Sequence, residues 1–82
     1  MWPWRKRLPI EAVLYTRKGC HLCEDAKGVL AAEGVAVREV DVDDDPGLQA
    51  RYGECVPVLE IAGKVRFRGR VNRVLLRRII RD

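Results

Sequence analysis

The segment Cys20-His21-Leu22-Cys23 restricts the folds open to this chain more than any other feature. It follows an apolar run at residues 12–16 and opens a stretch with the apolar spacing of a helix. Two cysteines separated by two residues at the start of a helix lie about one turn apart, so their sulfurs can join with little backbone movement. The pattern predicts a pair of thiols at the point where a strand passes into a helix.

The composition indicates one small globular domain. The chain has 82 residues, of which 48% are hydrophobic and 34% charged, as is usual for folded proteins. We expect a basic arm at residues 1–10, which contains Trp2 and Trp4, followed by a domain at residues 11–82. No apolar run is long enough to cross a bilayer, and no apolar segment of a secretory signal follows the basic residues near the start. These features predict a cytoplasmic protein that does not bind membranes.

The predicted elements follow the order β-α-β-α-β-β-α. The strands are predicted at residues 11–16, 35–42, 57–61 and 64–68. The helices are predicted from Leu22 to Gly34, from Asp45-Pro46 to about Gly53, and after the capping residue Asn72. The first crossover favours a parallel pair of strands and the later hairpin adds two antiparallel strands. We therefore expect an α/β fold, a four-stranded mixed sheet with helices on both faces.

Apolar spacing also predicts which side chains face the core. In the first helix these are Leu22, Ala26, Val29 and Leu30. In the last helix they are Val71, Val74, Leu75, Ile79 and Ile80, while Arg73, Arg77 and Arg81 form an outward stripe. In the last strand, strict alternation places Val65 and Phe67 on the same side.

A C-x-x-C segment beside a β-α-β pattern is typical of a thioredoxin-like redox site. Cys20 lies where the free N–H groups of a helix start stabilise a thiolate, so it is the expected nucleophile. Cys23, one turn further, is the expected resolving thiol. Arg17 and Lys18 add positive charge before the site. A protonated His21 would favour the Cys20 thiolate; alternatively, His21 is an exposed residue at the helix start with little influence on it.

Three stretches of the chain resemble the glutaredoxin-like family of the thioredoxin superfamily, in particular its small bacterial members. They are Leu14 to Cys23, Val56-Pro57, and Phe67 to Asn72, and they occur in the family's order. The resemblance extends over nearly the whole chain after residue 10. It implies a thioredoxin-like fold and a thiol–disulfide oxidoreductase that takes part in electron transport and cell redox homeostasis.

The resemblance also implies where a substrate binds. A cis peptide at Val56-Pro57 would face the two cysteines, and the backbone of Val56 would pair with an extended substrate or with glutathione. The residues that would bind the substrate or glutathione are Arg17, Lys18, Val56, Pro57, Gly69 and Asn72.

The chain departs from the family pattern at three places. His21-Leu22 stands where glutaredoxins usually carry proline and tyrosine. Arg68-Gly69 replaces a pair of glycines, and Asn72 replaces an aspartate that holds the glutathione amino group. Asn72 can still accept a hydrogen bond, but the charge pairing is lost.

Cys55 leaves three interpretations of the site open. As a small apolar residue beside the redox pair, it would have no chemical role. As a third thiol, it could exchange with Cys20, or the cysteines at 20, 23 and 55 could together hold a metal or an iron–sulfur cluster.

The expected partner is a disulfide-containing protein or glutathione as a co-substrate, with no bound cofactor and no metal. The formal charge of +4 conceals a basic C-terminal part, where arginine is frequent. That part lacks interleaved aromatic residues for base stacking, so nucleic acid is not the expected partner. We expect the chain to act as a monomer.

Overall fold

The computed structural model describes residues 11–81 of the chain, except for the side chain of Arg81. The predicted arm at residues 1–10, with Trp2 and Trp4, lies outside the described residues. The strands are β1 (Ala12–Thr16), β2 (Arg38–Asp41), β3 (Val58–Ile61) and β4 (Lys64–Arg68). The helices are α1 (His21–Ala32), α2 (Pro46–Tyr52) and α3 (Arg73–Arg81), with a 3-10 turn at Val42–Asp44. The predicted element order is confirmed.

The four strands form one mixed sheet in the order β2-β1-β3-β4. β1 runs parallel to β2 and antiparallel to β3, and β3 pairs antiparallel with β4. The second strand is shorter than predicted, because only residues 38–41 pair with β1 and Val42 already begins the 3-10 turn. β2 and β4 are the two edges of the sheet.

Helices cover both faces of the sheet, as predicted. Ala12 and Leu14 of β1 and Leu59 of β3 point into a core that also holds Ala26 and Leu30 of α1. Leu76 of α3 belongs to the same core and is fully buried. The opposite face carries a smaller cluster, Val42, Tyr52 and Val58, where α2 packs on the sheet.

The short helix α2 begins as its sequence predicts. The Asp45 carboxylate accepts hydrogen bonds from the N–H groups of Gly47, at 2.8 Å, and Leu48, at 3.3 Å. Pro46 occupies the first turn, where a missing N–H costs nothing. Gly53 follows the last helical residue, in agreement with the predicted end.

The prediction that Val65 and Phe67 face the same side is wrong. β3 and β4 shift register between Leu59, which pairs with Phe67, and Glu60, which pairs with Val65. Arg66 is the extra residue of this bulge, so the alternation of side chains is broken there. Phe67 joins the core beneath α1 and α3, while Val65 packs against the cluster on the α2 face.

Three predicted core positions are also wrong. Leu22 is 37% exposed, Val74 59% and Leu75 47%. In α1 the buried face passes through Cys23, Ala26 and Leu30 instead. In α3 it passes through Leu76, Ile79 and Ile80, since positions spaced by three and four share one side of a helix.

Charged side chains join the end of α1 to α3. The carboxylate of Glu33 accepts hydrogen bonds from Arg73 Nε at 2.6 Å and Arg77 Nε at 2.8 Å. Both arginines are exposed, as predicted, but they bind Glu33 as well as solvent. The hydrogen bonds from Arg77 and then Arg73 lower the pKa of Glu33 to about 2. These two hydrogen bonds therefore hold the C-terminal end of α1 against the first turns of α3.

Candidate redox site

The two predicted redox cysteines lie together at the start of α1. Cys20 is the N-cap residue, with extended backbone, and its Sγ accepts the N–H of Cys23 at 3.1 Å. Cys20 is partly exposed, whereas Cys23 is only 1% exposed. A thiol that caps a helix receives the N–H groups and the positive end of the helix dipole, which stabilise negative charge on sulfur. The geometry thus places one accessible thiol and one buried thiol about one helical turn apart.

Cys23 is held in its protonated form. Burial, and after it the hydrogen bond with Cys20, raise the pKa of the Cys23 thiol to about 12. A thiol nucleophile must be a thiolate, so Cys23 is inert while Cys20 is the sulfur that solvent can reach. The roles of Cys20 as nucleophile and Cys23 as resolving thiol stay predictions.

The loop before Cys20 is fixed by Arg17. Its Nε donates to Asp43 Oδ2 at 3.0 Å and Oδ1 at 3.2 Å, and its Nη1 donates to the Gly53 carbonyl at 3.0 Å. The Arg17 hydrogen bond lowers the pKa of Asp43. Gly19 closes the loop with φ at +76°, a conformation that favours glycine. Arg17 therefore ties the site to α2 and the 3-10 turn, and its predicted role in glutathione binding stays a prediction.

His21 and Lys18 both lie at the surface beside Cys20. A shallow depression is lined by Gly19, Cys20, His21 and Glu24, so His21 and Cys20 lie on the wall of the same depression. Lys18 lines a second, more polar cavity on the β2 side of the same loop. The predicted effects of His21 and Lys18 on the thiolate stay predictions.

Lys27 was not predicted to belong to the surroundings of the site. Its Nζ lies 3.0 Å from Glu24 Oε2 and 3.1 Å from Glu39 Oε1, and these hydrogen bonds raise the pKa of Lys27. All three residues line the polar cavity beside the Cys20 loop. The i,i+3 spacing of Glu24 and Lys27 could have indicated the first of these ion pairs, but Glu39 is distant in sequence.

Pro57 lies at the end of the sheet from which the Cys20 loop leaves. Tyr15 pairs with Val58, the first residue of β3. Pro57 therefore comes just before β3, at the end of the sheet where β1 ends. The peptide between Val56 and Pro57 is cis, as the family resemblance implies. The Pro57 carbonyl accepts the N–H of Gly69 at 2.7 Å, which brings the residues that follow β4 to the same end. Gly69 has φ at +85°, a value that favours glycine.

Asn72 caps α3 as predicted. Its Oδ1 accepts the N–H of Leu75 at 3.0 Å, and its carbonyl accepts the N–H of Leu76 at 2.9 Å. The capping bond occupies one acceptor position of the amide oxygen, and the amide N–H₂ group remains as a donor. The predicted contact of Asn72 with glutathione stays a prediction.

Cys55 packs on the face of the sheet that α2 covers. It is half-buried against the cluster of Val42, Tyr52 and Val58. Among residues 11–81 no three histidine, cysteine, aspartate or glutamate side chains are grouped closely enough to hold a metal ion. A single-chain metal site that uses Cys55 together with Cys20 and Cys23 therefore finds no support in the geometry.

The family model of the glutaredoxin-like domain matches residues 11–81. This match spans the whole described domain, including both cysteines, Pro57 and the cap of α3. The chain belongs to the glutaredoxin-like family.

Relatives of this glutaredoxin-like domain include an enzyme and several solved structures. The N-acetyl-S-hydroxy-L-cysteine reductase of Bacillus subtilis is 32% identical over 65 residues, which cover 73% of this chain and 70% of the relative. The X-ray structure of XcR50 from X. campestris is 35% identical, with a TM-score of 0.76, over 85% of this chain and 95% of that protein. The glutaredoxin of Archaeoglobus fulgidus, at 21% identity and a TM-score of 0.66 over 95% of this chain and 98% of its own, shares the fold.

No helix within residues 11–81 has the length and apolar character required to cross a membrane. The longest helix of the glutaredoxin-like domain, α1, has 12 residues and carries charged side chains on its exposed side.

Proposed function

We propose that this protein is a thiol–disulfide oxidoreductase in which Cys20 attacks and Cys23 resolves. The observation that carries the proposal is the hydrogen bond from the Cys23 N–H to Cys20 Sγ, at the start of α1, with Cys20 accessible and Cys23 buried. Membership of the glutaredoxin-like family supports the same chemistry. The substrates are mixed disulfides of proteins or of glutathione.

The reaction proceeds in two exchange steps. The Cys20 thiolate attacks one sulfur of the substrate disulfide, the S–S bond breaks, and the departing sulfur leaves as a thiolate that takes up a proton. Cys23 then gives up its proton and attacks Cys20 Sγ, which releases the second substrate thiol and forms the Cys20–Cys23 disulfide. The substrate gains two electrons and two protons, and the protein loses them. Two thiols of an external reductant such as glutathione return the protein to its dithiol form.

The resolving step explains why burial of Cys23 is compatible with catalysis. A thiol with a pKa of about 12 does not compete with Cys20 for the incoming substrate. Once Cys20 is joined to the substrate, Cys23 is the thiol one turn away, so proximity compensates for its low thiolate fraction.

A sulfenic acid is a second class of substrate, favoured by the name of the B. subtilis relative. Attack of Cys20 on an S-hydroxy sulfur would break the S–O bond, and the oxygen would leave as water after protonation. Cys23 would then release the reduced thiol and close the same disulfide. Both substrate classes use the same two residues of the protein.

Turnover of a small neutral disulfide tests the proposal. The protein, with glutathione and its recycling system, should reduce the disulfide of 2-mercaptoethanol, and Cys20→Ser should abolish the activity. Cys55→Ser is the matched control, since it removes a half-buried thiol outside the redox pair and should leave the rate within about twofold. An N-acetylcysteine sulfenic acid generated in the assay distinguishes the second substrate class. Equal activity of the wild type and Cys20→Ser would refute the proposal.

A further inference from the structure

The edge strand β4 and the residues that follow it form a basic surface that extends over both sides of the sheet edge. Lys64 pairs with Ile61, on the face of α1 and α3, whereas Arg68 pairs with Val58, on the face of α2. Residues 61–81 contain eight lysines and arginines and no acidic residue. Arg73 and Arg77 bind Glu33, so part of this charge is neutralised. Four cations of the strand and its following turn are exposed and form no ion pair with any residue from 11 to 81, namely Lys64, Arg66, Arg68 and Arg70.

This basic surface reaches the end of the sheet from which the loop to Cys20 departs. β4 ends at Arg68, and the next N–H, that of Gly69, donates to the Pro57 carbonyl at 2.7 Å. Pro57 lies at the end of the sheet from which the loop to Cys20 departs. A partner that lies along β4 therefore reaches the end of the sheet that carries the partly exposed Cys20.

The strand itself suits an extended polypeptide. β4 is the last strand of the sheet, so the backbone groups on its outer side have no strand partner among residues 11–81. Such an edge can pair with an extended segment of another chain, while its exposed side chains select the charge of that segment.

Nucleic acid fits the same surface less well. Between residues 11 and 81 the aromatic side chains are Tyr15, Tyr52 and Phe67, and none is exposed for base stacking. Nucleic acid also contains no disulfide that Cys20 and Cys23 could reduce. An acidic polypeptide satisfies the charge, the edge strand and the chemistry together.

We propose that Lys64, Arg66, Arg68 and Arg70 form a docking surface for an acidic, extended segment of the protein whose disulfide is reduced at Cys20. This inference rests on the proposed function, since it names the substrate class of the same site. It assigns the basic C-terminal part a role in choosing partners, by attraction to acidic residues near the disulfide.

The test compares peptides that differ only in the charge around one disulfide. Three peptides with glutamate, lysine or serine on both sides of the disulfide are mixed with reduced protein at low ionic strength, and the oxidation of Cys20 is followed by quenched flow and mass spectrometry. We expect the acidic peptide to react about tenfold faster than the basic one, with the neutral peptide between them. The difference should shrink at 0.5 M salt, because exposed charges are then screened.

Matched variants locate the effect. Arg66→Glu, and more strongly Lys64→Glu/Arg66→Glu, should remove or reverse the preference for the acidic peptide. Arg38→Glu makes the same change on the opposite edge strand, β2, and should leave the preference intact. Equal rates for the acidic and basic peptides, or an equal effect of Arg38→Glu, would overturn the proposal.

Two further measurements separate the alternatives. Anisotropy of a labelled acidic peptide with Cys20→Ser protein measures docking without chemistry, so it decides the inference even if the small neutral disulfide is not reduced. Tighter binding of duplex DNA than of the acidic peptide would assign the surface to nucleic acid and overturn the proposal. Dimers that form at low salt and dissociate in Arg66→Glu would assign it to a second copy of the chain, with the same consequence.

Discussion

Selective alkylation gives a quantitative test of the two thiol environments. At pH 8 a thiol with a reference pKa of about 8.5 is roughly one quarter ionised. Cys23, with a pKa of about 12, is ionised to about one part in ten thousand at this pH. The thiolate fraction alone therefore slows alkylation of Cys23 about two thousandfold relative to an ordinary thiol, and its 1% exposure slows it further.

The assay is a time course with iodoacetamide on reduced protein, quenched and mapped by mass spectrometry. Cys20 should be modified while Cys23 remains free, and in denaturant the two should react at similar rates. In Cys20→Ala protein Cys23 should stay unreactive, because burial is the largest cause of its raised pKa. Labelling of Cys23 within tenfold of Cys20 in the folded protein would refute the assignment of a buried, protonated thiol.

Three further predictions concern the framework of the site. Glu33→Gln should lower the melting temperature at pH 7. The difference from wild type should vanish as the pH falls from about 5 to 2, because a carboxylate with a lowered pKa stabilises the fold only while it is charged. A difference in thermal unfolding that is as large at pH 2 as at pH 7 would contradict this. Leu76→Ala should cost about 2–5 kcal/mol in urea unfolding, whereas Val74→Ala should stay within about 0.5 kcal/mol, and similar losses would contradict the observed face of α3. Asn72→Ala should lower the free energy of unfolding by about 1 kcal/mol, because the cap of α3 is lost. Asn72→Asp should keep the cap and raise glutathione-coupled turnover, and no gain in turnover would argue against a glutathione site at this residue.

The fold was predictable because local signals agree with one another. The C-x-x-C pair, the Asp45-Pro46 helix start and the capping residue Asn72 each act within a few residues of the chain. Their order alone limits the topology, since a strand–helix–strand crossover favours a parallel pair and the later hairpin is antiparallel.

Details that depend on distant packing were not predictable. The segment Lys64 to Arg68 alternates regularly, and only its pairing with β3 inserts the bulge that separates Val65 from Phe67. In α3 the apolar residues at 74, 75, 76, 79 and 80 permit more than one buried face, and contact with the sheet selects Leu76.

The surroundings of the cysteines depend equally on distant contacts. Arg17 looked like a source of positive charge for the thiolate, yet it binds Asp43, 26 residues away. Spacing within the sequence cannot indicate such a pair, because the approach of the two residues follows from the completed sheet and the 3-10 turn. The same holds for Glu33 with Arg77, 44 residues apart.

Trapping the mixed disulfide is the most direct test of the central claim, that Cys20 is the attacking thiol. Reduced Cys23→Ser protein should form a stable adduct at Cys20 with glutathione disulfide or with the acidic disulfide peptide, since no thiol remains one turn away to resolve it. Cys20→Ser protein, treated in the same way, should form no adduct at Cys23. We expect peptide mapping to find the adduct on Cys20 alone. The absence of any adduct there, or preferential modification of Cys23 or Cys55, would contradict the assignment of Cys20 as the attacking thiol.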